Sequence, residues 1–230
     1  MIDVLIMGAR WASNHHAVTR SFADALDRTR FSPRILACLG GRSVVKNALV
    51  REVNRSTRPL ILAGYAQGAA AAGDVAAELG GAESSILACA LISDPFRPRG
   101  HAIGTDPGGH GILGERAIVK VPAYWAAARG DLTTSLAADS SLRLVPELFE
   151  YFDLSTGEAV IDWRRRLMDA AIREQLMPYR MARRFWGSRN VELSRGSANL
   201  LMGPHETDYV RLGHAERLAQ AINKEVIVRN

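Results

Sequence analysis

The chain has 230 residues, 47% of them apolar, enough for one well-buried domain and short for two complete ones. Its formal charge of +5 comes from 29 basic residues, of which only Lys46, Lys120 and Lys224 are lysines, an imbalance that points to coding composition more than to binding. The arginines at 164–166, 180, 183–184 and 189 are interleaved with apolar residues at helical spacing and no recognition motif accompanies them, so no nucleic-acid partner is expected. No apolar run approaches membrane-spanning length and the N-terminus enters a strand-like segment directly, so neither a signal peptide nor stable membrane insertion is expected.

In chain order, Ile2–Met7 reads as a first central strand, followed by a loop at Gly8–Trp11 and a helix capped by Ser13 or Asn14 that runs toward Leu26. Arg34–Leu39 reads as a second strand and Ser43–Val53 as a second helix. The apolar run Leu60-Ile61-Leu62-Ala63 then meets the small, helix-forming segment Gln67–Leu79 through Gly64-Tyr65-Ala66-Gln67-Gly68, with Gly80-Gly81 as a stop. Strand Ile86–Ile92 follows, ending in Ser93-Asp94-Pro95. This alternation predicts a mostly parallel sheet with right-handed crossovers, an α/β fold.

From Phe96 to Arg116 the composition turns to Gly, Pro, His and Asp without periodicity, a surface loop too long to be a mere connector. Ala117–Val121 and Ala123–Ala127 read as strand-like around Pro122, and a helix is expected over Ser140–Tyr151. A helical insertion is expected over about 153–190, broken at Pro178, then a helix at Val191–Leu201 and a closing helix from Asp208 to Asn223. Cys38 and Cys89 lie in apolar strand-like runs without metal-ligand spacing and read as core thiols. No cofactor and no metal are expected. His15 and His16 stand near the first strand's edge, and His101 and His110 belong to the long loop.

The run Gly64-Tyr65-Ala66-Gln67-Gly68-Ala69 resembles the Gly-x-Ser-x-Gly nucleophile elbow of cutinases and of the mycobacteriophage lysin B esterases, with Ala66 where the attacking Ser belongs. Glycines alone would be weak evidence, because many parallel α/β proteins turn on them; the neighbouring Tyr, Gln and Ala carry the resemblance. Ala66 is then either an introduced knockout or a natural dead enzyme, and the preservation of the remaining site favours the knockout. The resemblance implies an α/β-hydrolase fold whose nucleophile, acid and base follow one another along the chain.

Ala66, Asp131 and His205 satisfy that order. Asp131 stands just after a strand-like segment in Arg129-Gly130-Asp131, similar to the family's acid motif; Asp94 and Asp106 are its rivals, and a plain turn cap is the bland alternative. His205 opens the segment before the closing helix and is followed shortly by Tyr209, again as in the family, whereas His214 reads as a half-exposed helix residue. The oxyanion hole implied by the resemblance uses the backbone N–H of Gln67 and one from the loop after the first strand, assigned to Arg10, where the family's usual hydroxyl residue is missing.

Between Asp131 and His205 lie 73 residues, more than a minimal acid-to-base connection needs, and lysin B is similar in carrying a helical insertion there. Candidate substrate contacts are Trp11, Tyr65, Trp163 and Trp186, with Met168, Leu176, Met177 and Phe185 as further apolar residues of the insertion. For most of these the ordinary alternative is that they pack the insertion onto the domain. The resemblance implies an ester hydrolase acting on the mycolate ester of arabinogalactan or another lipid ester, made in a bacterial host cytoplasm and acting on the envelope after release. The cysteine poverty fits a reducing compartment. A generic cutinase or lipase and a non-catalytic lipid- or glycan-binding module are the alternatives. Oligomeric state is not legible in the sequence.

Overall fold

The computed structural model describes residues 1–9, 16–37, 41–140, 143, 161–162, 165–166, 169 and 207–226. Its centre is a five-stranded parallel sheet of β1 (Ile2–Met7), β2 (Phe31–Leu36), β3 (Leu60–Tyr65), β4 (Ile86–Ile92) and β5 (Ala123–Ala126), in the order β2-β1-β3-β4-β5. The chain moves outward from β1 to β2 and then back across β1 to β3, so connections of one hand must place their helices on opposite faces. They do. Helix α1 (Ala17–Asp24) joins one face, while α2 (Arg42–Arg55) and α3 (Gln67–Leu79) cover the other.

Alternation along each strand sorts the core into two layers. Ile2, Val4, Ile6, Ile61, Ala63, Ala88 and Ala90 meet Val18 and Phe22 of α1, together with Leu218 and Ile222 of the closing helix. Leu5, Met7, Leu60, Leu62, Cys89 and Leu91 meet Val45 and Leu49 of α2 and Val75 of α3. Cys89 is a free thiol whose burial pushes its pKa up, as a core residue requires; Cys38 lies outside the described residues. The buried face of α3 is nearly all alanine and glycine, which lets its axis approach the sheet closely.

Several boundaries differ from the sequence reading. The second strand is Phe31–Leu36 rather than Arg34–Leu39, because Ile2 through Met7 pair with Phe31 through Leu36 one for one. The stretch 117–121 forms no strand. Val121 and Ile118 pack against the core as irregular chain, and Pro122 interrupts the donor pattern before the ladder starts at Ala123. Helix α1 is capped by His16, whose ring nitrogen accepts the Val18 N–H at 3.4 Å, while Ser13 and Asn14 lie outside the described residues.

The closing helix is broken in two. A three-residue turn α4 (Tyr209–Arg211) ends at Leu212, and Gly213, at φ 68°, redirects the chain into α5 (His214–Glu225). Of the expected helical insertion, Ile161, Asp162, Arg165, Arg166 and Asp169 are helical, with Asp162 accepting from Arg165 and Arg166 one turn on. The remainder of it, the expected helices over Ser140–Tyr151 and Val191–Leu201 apart from Ser140 and Arg143, and the single-domain boundary that depends on them fall outside the described residues. Among the described residues no helix is long and apolar enough to cross a membrane.

The long loop 96–116 is not a loose surface segment. Arg97 has no exposed side-chain surface and donates to the carbonyls of Thr134, His101, Gly108 and Gly109 and to the Asp106 carboxylate at 2.7–3.1 Å. One guanidinium thereby ties the loop to itself and to the chain beyond Asp131. Arg116 fastens its other end, donating to Asp94 at 2.7 Å and to Asp74 and the Ala70 carbonyl at 2.9 Å. Phe96 lies under Arg42 and Arg116, whose guanidinium carbons are 4.4 and 5.2 Å from its ring centroid. Part of the arginine excess therefore serves as internal fastening.

Candidate active site

In a sheet of this order, the crevice for a ligand opens at the carboxyl ends of β1 and β3, where the winding reverses. There β3 turns sharply into α3. Ala66, the joint, has φ 55° and ψ −114°, a conformation L-residues rarely adopt, and it is fully buried. Such backbone geometry costs about 1–3 kcal/mol and persists only where the surroundings enforce it.

Two glycines make the close packing around this turn possible. A Cβ on Gly64 would stand 2.3 Å from the Gly68 carbonyl group, and one on Gly68 would stand 2.2 Å from the Met7 carbonyl oxygen. All of these obstacles are backbone, so no side-chain rotation relieves them. The Ala66 N–H donates to Ile92 at 2.9 Å, holding the joint to β4. Gln67 is the first residue of α3, at the end where helical N–H groups have no partner within the helix and the dipole favours negative charge. Arg10, assigned as the second amide donor, lies outside the described residues.

One strand over, Ser93 repeats the unusual backbone, with φ 52°. Its N–H donates to Ala126 of β5 at 3.0 Å, and its side chain is buried. The Ser93 hydroxyl donates to Asp131 Oδ2 at 2.5 Å, and the Tyr209 hydroxyl donates to the same oxygen at 2.7 Å. The Thr133 N–H donates to Asp131 Oδ1 at 3.0 Å. Tyr209 also accepts the Ala128 N–H at 3.1 Å. Asp131 is thus a buried carboxylate in the turn after β5, held by donors from the residue after β4, from its own turn and from α4. Burial, followed by the neighbouring Asp131 charge, raises the Tyr209 pKa well above its ordinary value, so this phenol stays protonated as a donor.

The rivals have other work. Asp94 accepts from Arg116, from Trp125 Nε1 at 3.0 Å and from the Phe96 N–H at 3.0 Å, joining loop to helix; burial raises its pKa, against the pull of Arg116. Asp106 accepts from Arg97 and from the Gly108 N–H inside the loop.

Tyr65 was expected to face a ligand, but its ring has no exposed surface. It stacks on His16, centroids 5.1 Å apart and planes 22° apart, and meets Tyr209 edge-on at 6.3 Å. Strand alternation turns Tyr65 into the α1 layer, so it supports the elbow from beneath. His214 is half-buried, with its ring 5.8 Å from Tyr209, and burial with nearby Arg217 lowers its pKa.

Tyr209 links Tyr65, the residue before Ala66, to Asp131, meeting the Tyr65 ring edge-on and donating to the carboxylate. His205, Trp11, Trp163 and Trp186 fall outside the described residues. Ser93 was missed in the sequence; the one available signal was its position directly after a strand, beside the motif Asp94-Pro95. Among the described residues no three His, Cys, Asp or Glu side chains converge as a metal site. A concavity of about 480 Å³ lies away from the elbow, toward the amino ends of β1 and β3, where Asp3 and Arg58 pair at 2.8 Å and Arg34 pairs with Glu52.

The parallel sheet in the order β2-β1-β3-β4-β5 with helices on both faces defines a doubly wound α/β fold, and its glycine-lined strand-to-helix turn is consistent with the α/β-hydrolase arrangement expected from the sequence. No family model matches the chain, and no curated protein matches it. Among solved structures it is similar to a cutinase-like protein from Cryptococcus sp., at 14% identity over 75% of this chain and 94% of that one, with a TM-score of 0.47.

Proposed function

We propose that this chain is a serine carboxylic ester hydrolase of the lysin B type whose nucleophile position is occupied by Ala66, and whose substrate is the mycolate ester of arabinogalactan in the mycobacterial envelope. The observation that carries the reading is the backbone of Ala66. An alanine gains nothing from φ 55°, whereas a serine there would carry its hydroxyl on the strand-to-helix turn beside the first amides of α3.

With Ser at 66, the hydroxyl attacks the ester carbonyl while His205 takes its proton. Asp131 holds the imidazole, and Gln67 N–H steadies the oxyanion. The alcohol leaves with the proton from His205, and water then releases the acid by the same steps in reverse roles. Without the hydroxyl oxygen the acyl-enzyme cannot form, and loss of such a nucleophile lowers turnover by about a million-fold. The expected setting is synthesis in a bacterial host and action on the envelope after lysis, which the two-cysteine composition fits.

The test is hydrolysis of p-nitrophenyl butyrate by this chain beside Ala66→Ser, both shown to be folded, and then of mycolyl-arabinogalactan. Activity confined to Ala66→Ser supports the esterase, and release of mycolic acids supports the finer substrate. Activity on the short ester alone points to a generic cutinase or lipase. A folded Ala66→Ser that is inert on both leaves the non-catalytic lipid- or glycan-binding reading, which the native presence of Ala66 would favour.

A further inference from the structure

A carboxylate offers about four acceptor positions, two on each oxygen. In Asp131, Oδ2 accepts from two hydroxyls, Ser93 at 2.5 Å and Tyr209 at 2.7 Å, and Oδ1 accepts the Thr133 N–H. Two donors on one oxygen and a third on the other determine the plane of the group. The donors come from separate parts of the fold: the end of β4, the turn α4 and the turn after β5. Satisfying a buried carboxylate would need only one or two partners, and the backbone supplies one already.

The arrangement also carries strain. Ser93 keeps φ 52° immediately after β4, across the ladder from Ala66 after β3, which also has a positive φ. A non-glycine residue in that region costs about 1–3 kcal/mol. Tyr209 is oriented from both sides, accepting from Ala128 and donating to Asp131, and its ring touches Tyr65, the residue before the elbow joint. It also stands four residues after His205 in the chain.

We propose that Ser93 and Tyr209 are positioning residues of the ester hydrolase: their hydroxyls jointly hold Oδ2 of Asp131, so that the carboxylate is presented to the catalytic imidazole in one orientation. The proposal rests on the triad reading given above. Neither residue touches the reacting atoms; both act through Asp131.

The experiment uses Ala66→Ser as parent, with kcat and KM for p-nitrophenyl butyrate measured for Ser93→Ala, Tyr209→Phe and the pair, each confirmed folded by circular dichroism. A misdirected acid spoils proton transfer without changing ester binding, so kcat falls by about ten-fold or more while KM stays within about two-fold. In an Asp131→Asn background the same substitutions change kcat by less than about two-fold, because their effect passes through the carboxylate.

Should Tyr209→Phe not fold, Ser93→Ala carries the same test, since it removes one hydroxyl and leaves a residue of the same Cβ-bearing kind at that φ. Folded variants with the parent's kcat, or full effects that persist in Asp131→Asn, overturn the positioning role and leave the esterase standing. A folded Ala66→Ser parent inert on both the short ester and mycolyl-arabinogalactan overturns the esterase and this role together.

Discussion

Gly68→Ala is the most direct perturbation of the elbow. The added methyl would lie 2.2 Å from the Met7 carbonyl oxygen and 2.4 Å from that of Gly8, where ordinary contact begins at 3.4 Å. Relief requires α3 and β1 to part by about 1 Å or more, since both obstacles are main chain. Overpacking a core costs about 1–3 kcal/mol where side chains can adjust. Here they cannot, and even after the roughly 1 kcal/mol gained by replacing glycine within a helix, a net loss of about 3 kcal/mol is expected.

In a domain of this size each kcal/mol moves Tm by about 2–4 °C, so thermal unfolding followed by circular dichroism should show a fall of about 6–12 °C. Gly41→Ala is the control: its methyl would meet nothing within 4 Å, and since the only loss is a poorer cap for α2, its Tm should stay within about 4 °C of the parent. A Gly68→Ala protein that melts like the control would refute the claim that the close approach of α3 to β1 is obligatory.

Gly73→Ala places a methyl 1.9 Å from Arg116 Nη2, so the guanidinium must swing away and leave the buried Asp94 without its cation; urea denaturation should show a loss of about 3 kcal/mol, partly recovered by adding Asp94→Asn. Arg97→Lys keeps the charge but not the planar fork, so several of the carbonyls that Arg97 serves lose their donor; a loss of about 3–5 kcal/mol and new proteolytic cleavage within 96–116 are expected, and a cleavage pattern like the parent's counts against the hub. His214 should titrate below 6.5 by NMR, because burial and Arg217 disfavour its charged form. The unfolded chain then binds that proton more readily, so the stabilising effect is present above about pH 6.5 and is lost as pH falls through the folded value; His214→Gln should flatten this acid slope.

Much of the fold was legible because the relevant forces are local. The apolar run before Gly64 and the alanine-rich run after it admit little except a buried strand and a closely packed helix, and α3 begins and ends at the residues expected. β4 likewise runs from Ile86 to Ile92 as read, since a continuous apolar stretch buried on both faces is a signal carried within seven residues. The elbow glycines were legible as a motif, and the main-chain atoms that exclude their side chains give the motif its physical cause.

Tertiary structure decided what depends on partners remote in sequence. Pairing with β1, not local preference, set β2 at Phe31–Leu36, and strand alternation turned Tyr65 inward. The stretch 96–116 is the irregular, largely surface segment its composition implies, but nothing in a sequence tells which arginine will be buried under its carbonyls. Asp131, Ser93 and Tyr209 converge across separations of 38 and 78 residues. Hydrogen bonds of that range leave no periodicity behind, so the chain's sequence supplied the candidate acid, and only the folded sheet edge supplied the two hydroxyls that hold it.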